Sequence, residues 1–239
     1  MLFRSVPRAG RFQYLARMLR ERRVRSSEQV IDGFKIVQGE IHAATPRVFR
    51  DQPRRLMRLF LHIQQRGLKL HPDLAQLVRR NLALVDQPFR SDPHVATTFI
   101  EILGQRGNVG AVLRLMHDVG FLGKYMPEFG RLTCLVQFEF FHQYTVDEHT
   151  LVCIDKLDQI WSATSPLHAT YREIFQRIER PHLLYLALLL HDVGKADHSG
   201  KHEQIGVEMA GRVARRLGLP AESTAILKLI IEQIGRAHG

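Results

Sequence analysis

The sequence predicts an all-α fold, a bundle of amphipathic helices, and three observations support that prediction. Apolar residues recur every three or four positions through almost all of the 239 residues, which is the period of an α-helix. No alternating apolar and polar pattern, the signature of strands, continues for more than a few residues. The segment "RPHLLYLALLLHDVGK" is apolar on most sides, so we expect it at the centre of the bundle.

The first predicted helices are defined by their capping residues and their apolar stripes. "SSEQVIDGFKIVQGEIH" opens with Ser/Glu capping chemistry. Its apolar positions form one helical stripe: Val30, Phe34, Val37 and Ile41. "DQPRRLMRLFLHIQQRG" follows, with Asp51 as the predicted N-cap and Gly67 as the predicted end. "SDPHVATTFIEILGQRG" repeats this pattern with Asp92, Pro93 and Gly107.

Three further helices complete the prediction. The inward positions of "VDEHTLVCIDKLDQIW" are Leu151, Ile154, Leu157 and Trp161. After the apolar segment, "HEQIGVEMAGRVARRLG" and "PAESTAILKLIIEQ" have amphipathic patterns. Proline and aspartate cluster in "VDQPFRSDP", so we predict a domain boundary there, between residues 1–90 and residues 91–239.

The composition indicates a soluble globular protein, because 45% of the residues are hydrophobic and 24% are charged. The longest apolar run, "LLYLALLL", is about half of the roughly 18 residues that a membrane helix needs, so we predict no membrane span. The two cysteines, Cys134 and Cys153, form neither a metal-binding spacing nor a disulfide framework. This usage favours a reducing cytosol.

The net charge of +10 is concentrated at the front of the chain, where Met1–Phe60 has 14 basic and 5 acidic residues. Such a region suits nucleic acid or an acidic partner. Because no nucleic-acid module and no aromatic interleaving accompany it, we disfavour nucleic-acid binding. The Arg-rich start also has the composition of a mitochondrial presequence. A basic amphipathic helix of the fold is favoured by its apolar positions: Phe12, Leu15, Met18 and Leu19.

The tetrapeptide HDVG occurs twice, at His117–Asp118 and at His191–Asp192. A metal site needs three or more ligands that converge from different elements, so the neighbouring sequence distinguishes the two copies. The first copy is followed by apolar residues, a lysine and a glutamate, and the next histidine is His142. We interpret the first copy as a helix end with a glycine turn, and His142 as a packing or supporting residue.

The second copy has more potential ligands nearby. His191 ends the most apolar helix, and Gly194 is predicted to turn the backbone. Three helix ends could bring together a predicted metal-binding set: His149, His191, Asp192 and His202. The alternative is a surface histidine cluster in a flexible loop.

Imidazoles with one carboxylate suit a divalent metal, with Mn²⁺ or Mg²⁺ favoured and Fe²⁺ or Zn²⁺ as alternatives. Such an ion lowers the pKa of bound water, to about 7 in the best cases, and binds a phosphate oxygen. Lys195 and Asp192 are the predicted catalytic residues, and Lys195 would offset phosphate charge.

The order of these residues along the chain, a histidine, then a His-Asp pair, then a further histidine, resembles the motif of the HD-domain phosphohydrolases. Those proteins are all-helical metal enzymes that cleave phosphate esters. The wider sequence resembles the bacterial family of bifunctional PII uridylyltransferase/uridylyl-removing enzymes, most specifically in "YMPEFG" and "FHQYTVDEHT". Upstream, "IDGFKIVQGEI" and "VFRDQPRRLMRLFLHIQQRGLKLHPDL" resemble the helical region that joins that family's nucleotidyltransferase and HD domains. The resemblance extends from Gly33 to Gln233.

This resemblance implies a helical linker at residues 1–90 and an HD domain at residues 91–239. It implies metal ligands at His149, His191–Asp192 and His202. His202 is favoured over His198 as the ligand, because "HEQIG" fits the family's His-to-Gly step. The implied reaction is hydrolysis of uridylyl-PII, a phosphodiester on a tyrosine, to PII and UMP. The implied location is the bacterial cytoplasm, and the implied signal is glutamine, sensed by ACT domains.

The sequence also departs from the family. It has no Gly-Ser and paired-Asp nucleotidyltransferase motif and no ACT domains, so we expect no UMP transfer. The family's next histidine would follow Gln233, where this chain has Ile234, and His238 is at the wrong position to replace it. We therefore expect a fragment with an incomplete metal site. Two alternatives are another HD-type hydrolase of nucleotides or (p)ppGpp, and a non-catalytic helical module that binds PII or a nucleotide.

Overall fold

The computed structural model describes residues 29–133, 135, 145–196 and 202–238, with the side chains of 202–203 and 236–238 excepted. The predicted basic helix around Phe12–Leu19 lies outside the described residues. So do His142 and His198.

A small sheet opens the described chain, where the sequence had predicted a helix. Its four strands are β1 Gln29–Ile31, β2 Phe34–Val37, β3 Glu40–Ala43 and β4 Lys69–Leu70, in that spatial order. The first three strands are antiparallel, and β4 runs parallel to β3. The predicted helix through Val30, Phe34, Val37 and Ile41 is therefore wrong.

The physical reason lies in two tight turns. Asp32 and Gly33 have φ values of 50° and 82°, and Gln38 and Gly39 have φ values of 51° and 81°. Positive φ at both central residues defines the two-residue hairpin turn whose twist matches that of the flanking strands. An α-helix cannot continue through these conformations.

The rest of the described chain is helical. Its thirteen α-helices are α1 Val48–Asp51, α2 Arg55–Arg66, α3 Pro72–Arg80, α4 Gln87–Arg90, α5 Pro93–Gly104, α6 Gly110–Asp118, α7 Phe121–Tyr125, α8 Pro127–Gly130, α9 Val146–Ser162, α10 Pro166–Arg177, α11 Pro181–Leu190, α12 His202–Arg216 and α13 Ala221–His238. Two 3₁₀ helices lie at Leu82–Leu84 and Val193–Ala196. The predicted all-α class is confirmed, and the small sheet is an addition to it.

Two of the predicted helix boundaries, at Asp92 and Gly67, are confirmed, whereas α5 ends at Gly104 and not at the predicted Gly107. The Asp92 carboxylate caps α5 by accepting a hydrogen bond from the His94 backbone N–H at 2.8 Å, as predicted. Gly67 ends α2 in the left-handed conformation, also as predicted. Asp51 is not the cap of α2 but the last residue of α1. Gln52 is extended before Pro53, because a residue that precedes proline is disfavoured in the helical region.

The apolar helix α11 is the centre of the C-terminal half. Seven of its ten residues are buried, and it packs against α5, α9 and α13. This confirms the predicted bundle centre. In α9, Leu151 and Ile154 are fully buried, while Leu157 and Trp161 are partly buried against the same core.

Helices α5 and α6 join the two halves of the chain. Helix α5 packs against both α2 and α11, and α6 packs against α9. The buried residues of both halves belong to one continuous core, and the predicted division at residue 90 stays a prediction. None of the described helices combines the length and apolar character that crossing a bilayer requires.

Candidate metal centre

The second HDVG copy lies where α11 ends. His191 keeps a helical conformation, and the chain then continues into the 3₁₀ helix Val193–Ala196, in which the Lys195 N–H donates to the Asp192 carbonyl at 2.9 Å. The glycine turn predicted at Gly194 is wrong, because Gly194 is a buried member of this 3₁₀ helix and does not have positive φ. The 3₁₀ helix holds Asp192 and Lys195 beside the end of α11.

The His191 ring is oriented by the backbone of its own helix. Its Nδ1 lies 2.7 Å from the carbonyl oxygen of Leu188. Because a carbonyl only accepts, Nδ1 carries the hydrogen, and in a neutral ring Nε2 then carries the lone pair. That Nε2 lies 3.3 Å from Oδ2 of Asp192. Two electron-pair donors therefore face each other at a place where only 4% and 8% of the two side chains are exposed.

This donor set fits a divalent ion. Two protein ligands that are each about 2.0–2.2 Å from one ion lie roughly 2.8–3.6 Å apart at octahedral to tetrahedral angles. The observed separation of 3.3 Å between His191 Nε2 and Asp192 Oδ2 lies in that range. A backbone carbonyl that holds the other ring nitrogen is the usual support of a metal-binding histidine.

Asp192 is held in its ionised form. Burial raises the pKa of its carboxyl, but the hydrogen bond and charge of a protonated His191 ring, together with Lys195, outweigh burial and lower the pKa to about 2. In the neutral His191 tautomer, Nε2 donates no hydrogen, and Lys195 is the neighbouring group that favours the ionised carboxylate. The Lys195 Nζ lies 3.0 Å from the same Oδ2 atom. Because the carboxylate stays ionised at neutral pH, it is competent to bind a cation.

His149 approaches from a second helix. It lies in the first turn of α9, and its ring centroid is 5.8 Å from that of His191. One ligand atom from each of His149, His191 and Asp192 lies within 4.8 Å of the other two. The structure thus brings together three of the four predicted metal residues. His202 begins α12, which packs on the 3₁₀ helix, but its side chain lies outside the described residues and its role stays a prediction.

Two polar links hold α9 against its neighbours. Tyr185 of α11 donates a hydrogen bond to Asp158 of α9, and the same carboxylate accepts from the Gly110 N–H at 2.7 Å. Arg114 of α6 contacts two carboxylates of α9, those of Glu148 and Asp155, at 2.7 Å each. Since His149 is on α9 and His191 follows α11, the Tyr185–Asp158 bond helps to hold the helices of the two histidines together, and Arg114 ties the His149 end of α9 to α6.

The first HDVG copy has a different arrangement. His117 lies in the last turn of α6, and Gly120 follows with φ of 77°, so the predicted helix end and glycine turn are present. The His117 Nε2 lies 3.4 Å from Oδ2 of the buried Asp147, and its ring packs edge-on against Phe129. Asp118 is exposed. His117 therefore supports the start of α9, two residues before His149.

Sequence reasoning missed Cys153. Its Sγ lies 3.6 Å from His149 Nε2, one helical turn further along α9. Burial raises the pKa of the thiol, and the nearby Asp192 charge adds to that shift while Lys195 opposes it. The four-residue spacing from His149 was a signal, because residues i and i+4 share one face of a helix.

Two histidines and an aspartate that converge at helix ends are the arrangement that an HD domain would have. A family model described as "HD domain" matches residues 146–239. A second, described as "Uridylyltransferase GlnD third domain", matches residues 34–125.

The chain is also similar in sequence to enzymes named bifunctional uridylyltransferase/uridylyl-removing enzyme. It is 35% identical over 204 residues to the protein of Azospirillum brasilense, which covers 84% of this chain and 22% of the relative. It is 37% identical over 204 residues to that of Nitrobacter winogradskyi, with the same coverage. It is 33% identical over 214 residues to that of Zymomonas mobilis, covering 89% of this chain and 23% of the relative. The chain therefore spans less than a quarter of the length of these relatives.

Proposed function

We propose that this chain carries the uridylyl-removing activity of its family, a metal-dependent hydrolysis of uridylyl-PII to PII and UMP. The observation that supports this most is the convergence of His149, His191 and Asp192, with the His191 ring oriented by Leu188. The name of the relatives includes the uridylyl-removing reaction, which supplies the substrate class.

In this proposal His149, His191 and Asp192 hold the divalent ion, with Mn²⁺ or Mg²⁺ favoured and His202 as a further ligand. The ion, when bound, lowers the pKa of a water molecule and polarises the phosphate. The chain contributes an ionised Asp192, a preset His191 ring and a largely buried setting in which charges interact strongly.

Lys195 is the proposed charge-stabilising residue. Its amine contacts Asp192 at 3.0 Å, and 28% of its side chain is exposed, so a phosphate that approaches from solvent can reach it. In the reaction, a water oxygen forms a bond to phosphorus and the bond from phosphorus to the tyrosyl oxygen breaks. The tyrosyl oxygen takes up a proton, and UMP leaves.

The partners and the setting follow from the same proposal. The macromolecular partner is uridylylated PII, and glutamine acts as the signal through ACT domains of the kind this family carries. The proposed location is the bacterial cytoplasm, and no membrane or nucleic-acid partner is proposed. The principal alternative substrate is a free nucleotide or (p)ppGpp, since HD domains share metal chemistry and differ in substrate.

The test is a UMP-release assay with the 239-residue chain, uridylyl-PII and Mn²⁺. The variant is Asp192→Asn, and the matched control is Asp118→Asn, which makes the same change in the other HDVG copy. We expect the wild type and Asp118→Asn to release UMP at equal rates. Removing a metal-binding carboxylate should lower the rate of Asp192→Asn by about 100-fold or more.

Three other outcomes are informative. Hydrolysis of free nucleotides or (p)ppGpp without UMP release from uridylyl-PII would support another HD-type hydrolase. Mn²⁺ binding with no hydrolysis of either substrate class would contradict the hydrolase proposal. PII binding that needs no metal and survives His191→Ala would support the non-catalytic module.

A further inference from the structure

A second cluster of metal-binding side chains lies on the small sheet, in the other half of the chain from His191. Glu40 and His42 are on β3, and His71 directly follows β4 and caps α3. One ligand atom from each of these three residues lies within 4.8 Å of the other two. The cluster has no role in the proposed hydrolysis.

Strand geometry explains why these three side chains meet. Alternate residues of a strand point to opposite faces, so Glu40 and His42 share one face while the fully buried Ile41 lies on the other. Strand β4 pairs in parallel with β3, and the His71 N–H donates to the Ile41 carbonyl at 3.2 Å. His71 is therefore placed next to His42 on the outer face.

The three side chains lie close together, and Glu40 and His42 share no hydrogen bond. The ring centroids of His42 and His71 are 4.1 Å apart, and His42 Nε2 is 3.9 Å from Glu40 Oε2. A separation of 3.9 Å is too long for a hydrogen bond, so a direct bond between Glu40 and His42 does not explain the arrangement. The two rings are 28% exposed and the glutamate is 43% exposed, so an ion can enter from solvent without any opening of the fold.

The hydrogen bond between the Asp73 N–H and the His71 ring is weak, and metal binding can replace it. Its Nδ1 accepts a 3.3 Å hydrogen bond from the Asp73 N–H, which is long for such a bond. The Asp73 carboxylate lies 3.7 Å from the same nitrogen and is almost fully exposed, so it can rotate. If Nδ1 instead carries the hydrogen and donates to that carboxylate, Nε2 is available to an ion, which is the common carboxylate–histidine–metal arrangement.

We propose that Glu40, His42 and His71 form a second divalent-metal site, selective for a zinc-like ion. Two imidazoles and one carboxylate are a frequent protein donor set for Zn²⁺, and the fourth position of the tetrahedron is then filled by water. The bound ion ties β3 to the first turn of α3. This site is separate from the HD site and its existence does not depend on uridylyl removal.

The experiment is equilibrium dialysis of the 239-residue chain against Zn²⁺, followed by elemental analysis of bound metal per chain. The main variant is His71→Asn, because asparagine removes the imidazole but remains a good helix cap. His42→Gln is the second variant. His94→Gln removes an exposed histidine elsewhere and is the matched control, while Asp192→Asn removes a ligand of the other centre.

We expect the wild type and His94→Gln to bind one more Zn²⁺ than His71→Asn or His42→Gln, whose affinity at this site falls about tenfold or more. Asp192→Asn should retain this ion. Co²⁺ should give the visible absorption of a tetrahedral site, and that signal should disappear in His71→Asn. Melting curves in chelator verify that the variants are folded. Equal zinc binding by His71→Asn, His42→Gln and the wild type would overturn the proposal.

Discussion

The two HDVG copies share four residues and differ in what surrounds them. His117 lies in the last turn of an amphipathic helix, and the neighbouring Asp118 is exposed. His191 follows the most apolar helix, and Asp192 is 6% exposed. The first copy ends in a left-handed glycine, whereas the end of the second copy lies in a 3₁₀ helix that places Lys195 beside the aspartate.

The contacts of the two histidines differ accordingly. His117 reaches across to Asp147 at the start of α9, where it acts as a support. His191 is held by the Leu188 carbonyl, so that Nε2 faces a carboxylate with His149 alongside. An adjacent His-Asp pair thus becomes a candidate metal centre when a buried helix end orients it and a second helix supplies another histidine.

The largest expected difference between the copies is in metal affinity. If Asp192 binds the metal as proposed, Asp192→Asn should weaken Mn²⁺ binding at the candidate metal centre by about 100-fold or more, since loss of a ligand costs more than loss of a supporting residue. Asp118→Asn should leave the affinity unchanged, because that carboxylate is exposed and remote from the cluster. Titration calorimetry with Mn²⁺ measures both. Equal Mn²⁺ affinities of Asp192→Asn and Asp118→Asn would contradict a difference in metal binding between the two HDVG copies.

Much of the candidate centre was predictable because its residues lie at the ends of strongly patterned helices. The apolar run before His191 and the capping region before His149 mark two helix ends, and helix ends in a bundle meet in space. The sequence could not indicate that Leu188 orients the His191 ring, and the four-residue spacing of His149 and Cys153 indicated a shared helix face but not their contact. Those contacts depend on side-chain rotamers and on how far α9 is rotated about its axis.

The sheet was missed although the sequence contains its signal. "VIDGFKIVQGEI" has Asp-Gly and Gln-Gly dipeptides between short apolar runs, and Asp-Gly is among the strongest hairpin signals. The spacing of Val30, Phe34, Val37 and Ile41 also fits a helix, so the apolar pattern alone does not distinguish the helix from the hairpins. The strands are only three or four residues long, too short for alternation to be conclusive.

The bond that holds α11 against α9 gives the next largest effect. Tyr185→Phe removes a hydrogen-bond partner from the partly buried Asp158 carboxylate and from the Gly107 N–H. We expect a loss of about 1–3 kcal/mol in the free energy of unfolding. Tyr171→Phe, on an exposed tyrosine, is the control and should change it little. Urea unfolding measures both, and equal stability of the two variants would show that the bond contributes nothing.

The support role of the first HDVG copy predicts a smaller effect. His117→Leu keeps an apolar side chain against Phe129 but removes the contact to the buried Asp147. We expect a loss of about 1 kcal/mol in stability and up to about tenfold in Mn²⁺ affinity, because α9 also carries His149. His117→Gln retains a hydrogen-bond donor and should restore most of both. If His117→Leu binds Mn²⁺ as the wild type does, the first copy has no influence on the second.

The smallest expected effect is the pH dependence of the Tyr185→Phe loss. Burial raises the pKa of Asp158 above 3.8, against the opposing hydrogen bonds from Tyr185 and Gly110. A group with a raised pKa in the folded state contributes stability that is fully present below 3.8 and is lost as pH rises through the folded pKa. Without the tyrosine the pKa rises further, so the variant loses more on going to neutral pH. Its deficit in urea unfolding should therefore be larger at neutral than at mildly acidic pH, whereas a deficit that is equal at both would mean that Tyr185 does not stabilise the ionised carboxylate.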